Sequence, residues 1–200
     1  GVPEYYAEHY REWRKNGIEP RTTCSGIAIS KNGIDWKHHS FTTALDIDDR
    51  DNVLFPEKLD GNFALLRRPI QYVGPEYGTD RPGIWICFSE DLKDWTKPQL
   101  LAVAKYPWEG KKIGASTKPV KTDQGWLLLY HGVDSNSVYR LGAMMLDLKD
   151  PRKVIARCPN FIMEPEEYYE KVGLIIPRVI FPTDNVVKDG LLYMYYGCCD

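Results

Sequence analysis

The sequence lacks the features that mark nucleic-acid-binding, membrane and metal-binding proteins. Its 26 basic and 28 acidic residues nearly cancel, leaving a net charge of −2, which does not favour nucleic acid as a partner. No apolar run approaches the length that crosses a membrane. The histidines and cysteines show no spacing typical of a zinc site. We therefore expect no nucleic-acid partner, no membrane partner and no bound metal.

A regular disulfide framework is also missing. The five cysteines are an odd number without a regular spacing, and Cys198 and Cys199 are adjacent. Such a set favours reduced thiols, which persist in the cytosol. The expected location is therefore cytoplasmic.

One phrase occurs three times at an almost constant interval. The copies read FPEKLDGNFALLRR (55–68), KPVKTDQGWLLLYH (118–131) and FPTDNVVKDGLLYMY (181–195). Their glycines, Gly61, Gly125 and Gly190, lie 64 and 65 residues apart. A fixed period of this size indicates one supersecondary unit copied along the chain. The copies lead to different polar residues, Arg68, His131 and Asp200, which a radial array would direct at one central site.

The unit has the signals of short antiparallel strands. Asp-Gly and Gln-Gly turns separate runs rich in Leu, Trp, Tyr and Phe, as in β-hairpins. A second phrase, ISKNGIDW (29–36) and FSEDLKDW (88–95), adds a strand, a turn and a Trp. Only residues 4–15 have the pattern of a helix. About four strands in each unit predict a β-propeller blade, and the alternative is a pair of packed antiparallel sheets with coincidental similarity.

The expected blade-like units lie near residues 26–100, 101–158 and 159–200, within one domain covering 1–200. Three units do not close a propeller ring, and an open array would expose sheet edges. We therefore expect this sequence to be part of a larger assembly. Either further chain or association of identical subunits would close the ring.

Basic residues stand at or just before the ends of apolar strands: Arg50, Arg68, Lys112 and His131. Cations buried at such positions need an anionic partner. Phosphate suits this set, because guanidinium forks and an ammonium group can surround its oxygens. The alternative for any one of them is solvation or pairing with a nearby carboxylate. In the acidic segment LDIDDRDN (45–52), Asp46, Asp48 and Asp49 are interpreted as a solvated loop beside Arg50, with one of them reaching the site.

As a set, several stretches resemble glycoside hydrolase family 130, the β-mannoside phosphorylases and related mannosidases. They are RDNVLFPEKLDGNFALLRRP (50–69), WEGKKIGAS (108–116), GWLLLYHGV (125–133), YRLGAMMLDLKDPRKVIARCP (139–159) and GLLYMYYGCCD (190–200). The resemblance implies an all-β fold, a five-bladed propeller of which this chain covers about three blades. It also implies inverting phosphorolysis of a β-mannoside to α-mannose 1-phosphate and a free acceptor sugar. Phosphate would be a co-substrate, with no other cofactor.

The resemblance also assigns residues. The phosphate-binding set of the family matches Arg50, Arg68, Lys112 and His131. The substrate-binding positions are Asp200, which would hold mannosyl hydroxyls, Tyr139 and Arg140 near the acceptor, and Asp51. The general acid of the family is an Asp in a Glu-Asp-Pro-Arg segment, which is absent here and expected upstream of Gly1. No catalytic residue is therefore assigned, and residues 1–200 alone are expected to be inactive.

Two departures from the family pattern keep other functions open. Asp51 stands where the phosphorylases often carry Asn, and Ser116-Thr117-Lys118 stand where Gly-Pro-Pro is common. A carboxylate beside a bound phosphate is repulsive unless it is protonated or turned away. The alternatives are an inverting β-mannosidase of the same fold, or a non-catalytic propeller that binds a sugar or a protein.

Overall fold

Antiparallel strands make up almost all regular structure in the computed structural model, which describes residues 23–44, 47–173 and 176–199. Within these ranges the one α-helix, α1 (Tyr168–Lys171), has a single turn, and two 3₁₀ turns span Pro75–Tyr77 and Pro107–Glu109. The prediction of an all-β fold is confirmed. The helix predicted at residues 4–15 lies outside the described residues.

Within the described residues, thirteen strands form four sheets. The strands are β1 (Gly26–Ile29), β2 (Lys37–Phe41), β3 (Asp49–Leu54), β4 (Phe63–Pro69), β5 (Ile84–Ser89), β6 (Gln99–Ala102), β7 (Lys112–Ala115), β8 (Val120–Thr122), β9 (Gly125–Val133), β10 (Tyr139–Leu146), β11 (Val154–Arg157), β12 (Ile180–Lys188) and β13 (Leu191–Cys198).

Two of the sheets are meanders of the size of a propeller blade. The first has the order β3-β4-β5-β6, and the second has the order β11-β10-β9-β7, with β8 also pairing with β9. The other two sheets are hairpins, β1-β2 and β12-β13. The first predicted unit, 26–100, contains the β1-β2 hairpin and the strands β3 to β5, while β6 continues beyond it to Ala102.

The repeated phrase forms a tight hairpin at each copy. Asp60 and Gly61 connect the bridge of Leu59 to Asn62, residues 123–124 connect β8 to β9, and residues 189–190 connect β12 to β13. In the first and third turns both residues have positive φ, as a type I′ turn requires. Aspartate and glycine tolerate this conformation, so the turn residues explain the first and third hairpins.

Each copy of the second phrase, at residues 29–36 and 88–95, forms a turn that is held by hydrogen bonds from backbone N–H groups to side chains. Ser30 Oγ accepts the N–H groups of residues 32 and 33, and Ser89 Oγ accepts those of residues 91 and 92. Asn32 and Asp91 then accept the next two N–H groups through their Oδ1 atoms. These bonds replace backbone pairing within the turn, so each phrase reverses the chain between two strands.

The hydrophobic core lies between the two large sheets. Phe55, which follows β3, packs edge-on against Trp126 of β9, with ring centroids 5.2 Å apart. Apolar residues of both sheets join them, including Leu66, Ile84, Ile86, Ile113, Leu128, Tyr130, Met144 and Leu146. This packing fixes the two sheets relative to each other. No helix in the described ranges is long and apolar enough to cross a membrane.

Gly142 of β10 provides a test of this packing. A Cβ atom at Gly142 would lie 2.4 Å from the Trp108 ring and 2.6 Å from the Tyr130 ring. We expect Gly142→Ala to lower the free energy of unfolding by about 1–3 kcal/mol, because two buried rings would have to move. Urea unfolding followed by tryptophan fluorescence measures the change.

Gly197 of β13 is the matched control. The nearest atom to a Cβ there is a backbone oxygen 4.0 Å away, so Gly197→Ala should leave stability nearly unchanged. Equal effects of the two substitutions would contradict the described packing around Trp108.

Candidate active site

Strand pairing brings the predicted basic residues to one edge of the two large sheets. Arg50 of β3 is directly opposite Arg68 of β4. In the other sheet, Lys112 begins β7, and His131 of β9 is opposite Gly114 of β7. Residues of the two sheets thus approach one another at a single point.

The Asp51 carboxylate lies at that point. Its Oδ2 is 2.7 Å from Arg68 Nε and 3.5 Å from His131 Nε2, and the Asp51 and Arg68 side chains are only 7% and 4% exposed. We refer to Arg50, Asp51, Arg68, Lys112 and His131 as the basic cluster. Its centre holds a carboxylate that belongs to the protein.

Two backbone features place Asp51 there. The register of β3 against β4 shifts between Arg50 and Val53, and Asp51 in this irregular stretch has a φ of 54°. Opposite it, Gly114 leaves the necessary space, since a Cβ there would lie 1.9 Å from Asp51 Oδ2 and 2.6 Å from His131 Cε1. A bulge and a glycine therefore let a carboxylate enter the contact between the two sheets.

The cluster perturbs the ionisation of its members. Burial raises the pKa of Asp51, although Arg68, Lys112 and Arg50 oppose the shift. Burial, with Arg68 and Arg50 nearby, lowers the pKa of Lys112 to about 8, and Asp51 acts in the opposite direction. The pKa of the buried His131 lies well below its usual value, first through burial and then through Arg68 and Lys112. His131 is therefore neutral at physiological pH.

Ser116 orients the imidazole of His131. Its Oγ lies 3.0 Å from His131 Nδ1. With the hydroxyl donating to Nδ1, the proton of the neutral ring is on Nε2, which faces the basic cluster. Phe181 and Tyr139 pack on the imidazole ring, with centroids 4.7 Å and 5.7 Å away.

Buried polar atoms of the cluster have no hydrogen-bond partner in the described part of the chain. They are Arg68 Nη1, Arg68 Nε, Asp51 Oδ2 and His131 Nε2. Arg68 Nε and Asp51 Oδ2 face each other as an ion pair at 2.7 Å. Because a buried donor without an acceptor costs about 1–3 kcal/mol, Arg68 Nη1 and His131 Nε2 indicate a place for a ligand with acceptor oxygens.

The remaining predicted residues are placed differently. Arg50 donates from Nε and Nη2 to the Asp48 carboxylate at 2.8 Å each, and its side chain is 41% exposed, so it forms the rim of the cluster. Tyr139 borders the basic cluster, with Lys112 Nζ 5.2 Å from its ring centroid. Arg140 instead pairs with Asp134 and Glu164. Asp200 lies outside the described residues.

The interpretation of the acidic segment as a solvated loop is wrong for two of its members. Asp48 is buried beside Arg50, and Asp49 is fully buried 2.7 Å from Arg67. Burial raises the pKa of Asp49 to about 6, against the effect of Arg67. The two neighbouring arginines of β4 thus point to opposite faces, and each meets a carboxylate from β3.

Sequence reasoning missed three residues that shape the cluster: Gly114, Ser116 and Phe181. Gly114 and Ser116 lie in the stretch IGAS (113–116), but a glycine and a serine there do not by themselves indicate a contact with His131. The segment Ser116-Thr117-Lys118, which departs from the family pattern, also has a structural role. Thr117 Oγ1 and Lys118 O accept hydrogen bonds from the buried Asn185 amide, which attaches β12 to the second large sheet.

Comparison with known proteins identifies the family. A family model described as Glyco_hydro_130, beta-1,4-mannooligosaccharide phosphorylase, matches residues 5–200. The chain belongs to glycoside hydrolase family 130. The resemblance predicted from the sequence is thereby confirmed.

Curated relatives of the chain are named as mannoside phosphorylases. It is 46% identical over 176 residues to 1,2-beta-oligomannan phosphorylase of Thermoanaerobacter sp. (strain X514), covering 87% of this chain and 54% of the relative. It is 36% identical over 156 residues to beta-1,4-mannooligosaccharide phosphorylase of Ruminococcus albus, covering 76% and 45%. The chain spans about half the length of the curated relatives it matches.

Solved structures show the same fold. Beta-1,2-mannobiose phosphorylase from Listeria innocua, in complex with beta-1,2-mannobiose, superposes with a TM-score of 0.80 at 30% identity, covering 90% of this chain and 49% of that one. A structure from the family 130 glycoside hydrolases that target beta-1,2 mannosidic linkages has a TM-score of 0.70 at 21% identity, covering 90% of this chain and 56% of that one. The second likeness concerns the fold alone.

Opposite shifts of the Lys112 pKa test the electrostatics of the cluster. We expect Asp51→Asn to move the pKa of Lys112 further below about 8, because it removes the carboxylate that favours the ammonium form. Arg50→Gln should raise it, because a nearby positive charge is lost. Titration of ¹³C-labelled lysine side chains by NMR measures both, with Lys112→Arg assigning the signal. Shifts of the same sign in the two variants would contradict the arrangement.

Proposed function

We propose that the protein catalyses inverting phosphorolysis of β-mannosides, releasing α-mannose 1-phosphate and a free acceptor sugar. The observation that supports this most directly is the basic cluster, where Arg68, Lys112 and His131 act on one point and Arg68 Nη1 is a buried donor without a hydrogen-bond partner in the described residues. Phosphate supplies several acceptor oxygens and negative charge at once. The phosphorylase names of the relatives from Thermoanaerobacter sp. (strain X514) and Ruminococcus albus agree with this choice.

The proposed step is an in-line displacement. A phosphate oxygen forms a bond to the anomeric carbon, the glycosidic C–O bond breaks, and the leaving oxygen takes a proton from an acid. Phosphate is already nucleophilic, so the protein needs to position it rather than activate it with a strong base. Arg68 and Lys112 would offset its charge during approach, and neutral His131 would donate from Nε2.

The substrate residues belong to the same proposal. Tyr139, stacked on His131, would form one side of the sugar site, and Asp200 would hold mannosyl hydroxyls. Arg140 is proposed at the acceptor side, although its guanidinium already binds two carboxylates. The acid is proposed to be an aspartate outside residues 1–200, in a propeller of five blades.

The reaction can be tested with the full-length protein and β-1,4- or β-1,2-linked mannobiose, each with and without phosphate. We expect mannose 1-phosphate only where phosphate is present. Free mannose at the same rate with or without phosphate would instead identify a hydrolase. Absence of turnover with either mannoside would contradict the proposal and favour a binding protein.

Single substitutions in the basic cluster should affect phosphate selectively. Arg68→Ala or His131→Ala should raise the phosphate KM by roughly ten- to a hundred-fold, the loss expected for one hydrogen bond to a charged group. The mannoside KM should change much less. Initial rates over a matrix of phosphate and mannoside concentrations separate the two effects.

Arg152→Ala is the control for loss of one positive charge. Arg152 is half-exposed and pairs with Asp150, away from the basic cluster. Its replacement should leave both KM values unchanged. If Arg68→Ala weakened mannoside and phosphate binding equally, the phosphate-binding role of the basic cluster would be wrong.

A further inference from the structure

Asp51 occupies the place where an anion would meet the cluster. Its carboxylate is in contact with Arg68 Nε at 2.7 Å and lies 3.5 Å from His131 Nε2, the nitrogen that faces the site. Lys112 and Arg50 also act on it electrostatically. A bound phosphate that used the same donors would lie against this carboxylate.

The charged and titratable groups around Asp51 come from several strands of the two large sheets. Arg50 and Asp49 flank it on β3, Arg68 approaches from β4, and Lys112 and His131 approach from β7 and β9. Tyr139 of β10 borders the same space, and its own pKa is affected by Asp51. Positive charge from three cations surrounds one buried carboxylate and one neutral imidazole.

The backbone, and not only the side-chain rotamer, sets the position of the Asp51 carboxylate. The left-handed backbone at Asp51, the shifted register of β3 and the bare Cα of Gly114 are all needed to seat the carboxylate. An exposed loop residue would need none of them. The fold therefore holds this acid against the donors.

We propose that Asp51 is the protein's own counter-ion at the anion site and competes with phosphate for Arg68 and its neighbours. Phosphate binding then requires the Asp51 carboxylate to give up its negative charge by taking up a proton. This inference rests on the proposed phosphate site and adds how that site is regulated. Exchange of one anion for another keeps the buried Arg68 guanidinium paired in both states.

A pH dependence follows from the exchange. Two negative charges a few ångströms apart in a buried site disfavour each other, so the carboxylate is best protonated when the anion binds. Burial already raises the pKa of Asp51. Anion affinity should therefore increase as the pH falls through the range in which Asp51 takes up a proton. At higher pH, anion affinity should fall as the pH rises through about 8, where Lys112 loses its charge.

Asp51→Asn separates these two effects. Asparagine tolerates positive φ as aspartate does, and its amide has nearly the same shape, so the fold should persist. At a pH where Asp51 is charged and Lys112 is still protonated, we expect the variant to bind inorganic phosphate and sulfate about ten-fold more tightly, the factor that corresponds to one pKa unit of charge interaction. Over the weakly acidic to neutral range, the sulfate affinity of the unmodified protein should fall as Asp51 loses its proton, while that of Asp51→Asn should change much less.

Isothermal titration calorimetry with sulfate is the decisive measurement, because sulfate does not titrate in this range whereas phosphate does. Repeating the titration in two buffers of different ionisation enthalpy gives the number of protons taken up on binding. This number should be close to one for the unmodified protein under conditions where Asp51 is charged, and near zero for Asp51→Asn. Asp184→Asn is the control. Asp184 is exposed and pairs with Lys118, so its loss changes net charge equally but should not change anion binding.

The outcomes distinguish the two proposals. If the unmodified protein and Asp51→Asn bind sulfate and phosphate with equal affinity and equal pH dependence, the counter-ion role is wrong and the phosphate site stands. If Asp51→Asn binds more weakly, Asp51 helps to hold the anion, and the inference is also wrong. If none of the proteins binds either anion, the phosphate site itself is wrong, and the counter-ion role falls with it.

Discussion

The contact between Arg68 and Asp51 is the interaction on which the candidate site depends. A guanidinium that is only 4% exposed cannot remain at the end of a strand without a negative partner, because the loss of its hydration is too costly. β3 supplies that partner across two paired strands. The same requirement explains the second pair, Asp49 with Arg67, on the opposite face of the sheet. One hairpin thus places two buried cations and two buried carboxylates in alternation.

The second large sheet completes the site because its glycines allow a close approach. Gly114 admits the carboxylate, while Gly132 and Gly142 leave room for the Trp108 ring, which packs behind Tyr130. His131 lies between these features, held by Ser116 and by two aromatic rings. A rigid, neutral imidazole beside two cations is well suited to bind an anion without a proton transfer of its own.

Much of the fold could be predicted from local sequence chemistry. Asp-Gly pairs specify tight hairpins, and the Ser-x-Asn and Ser-x-Asp turns close on themselves, so each repeated phrase carries its own geometry. The convergence of Arg68, Lys112 and His131 followed from their positions at strand ends. The irregular stretch around Asp51 could not be predicted from the sequence, because a bulge with positive φ depends on the opposing strand. Arg140 turned to Asp134 and Glu164, contacts that no sequence period indicates.

A crystal structure of the protein with phosphate tests the central claim, that the basic cluster is an anion site, most directly. The account predicts a tetrahedral anion within hydrogen-bond distance of Arg68, Lys112 and His131 Nε2. It also predicts that the Asp51 carboxylate no longer contacts Arg68 Nε. Phosphate bound elsewhere, with the Asp51–Arg68 pair intact and the cluster empty at saturating phosphate, would contradict it.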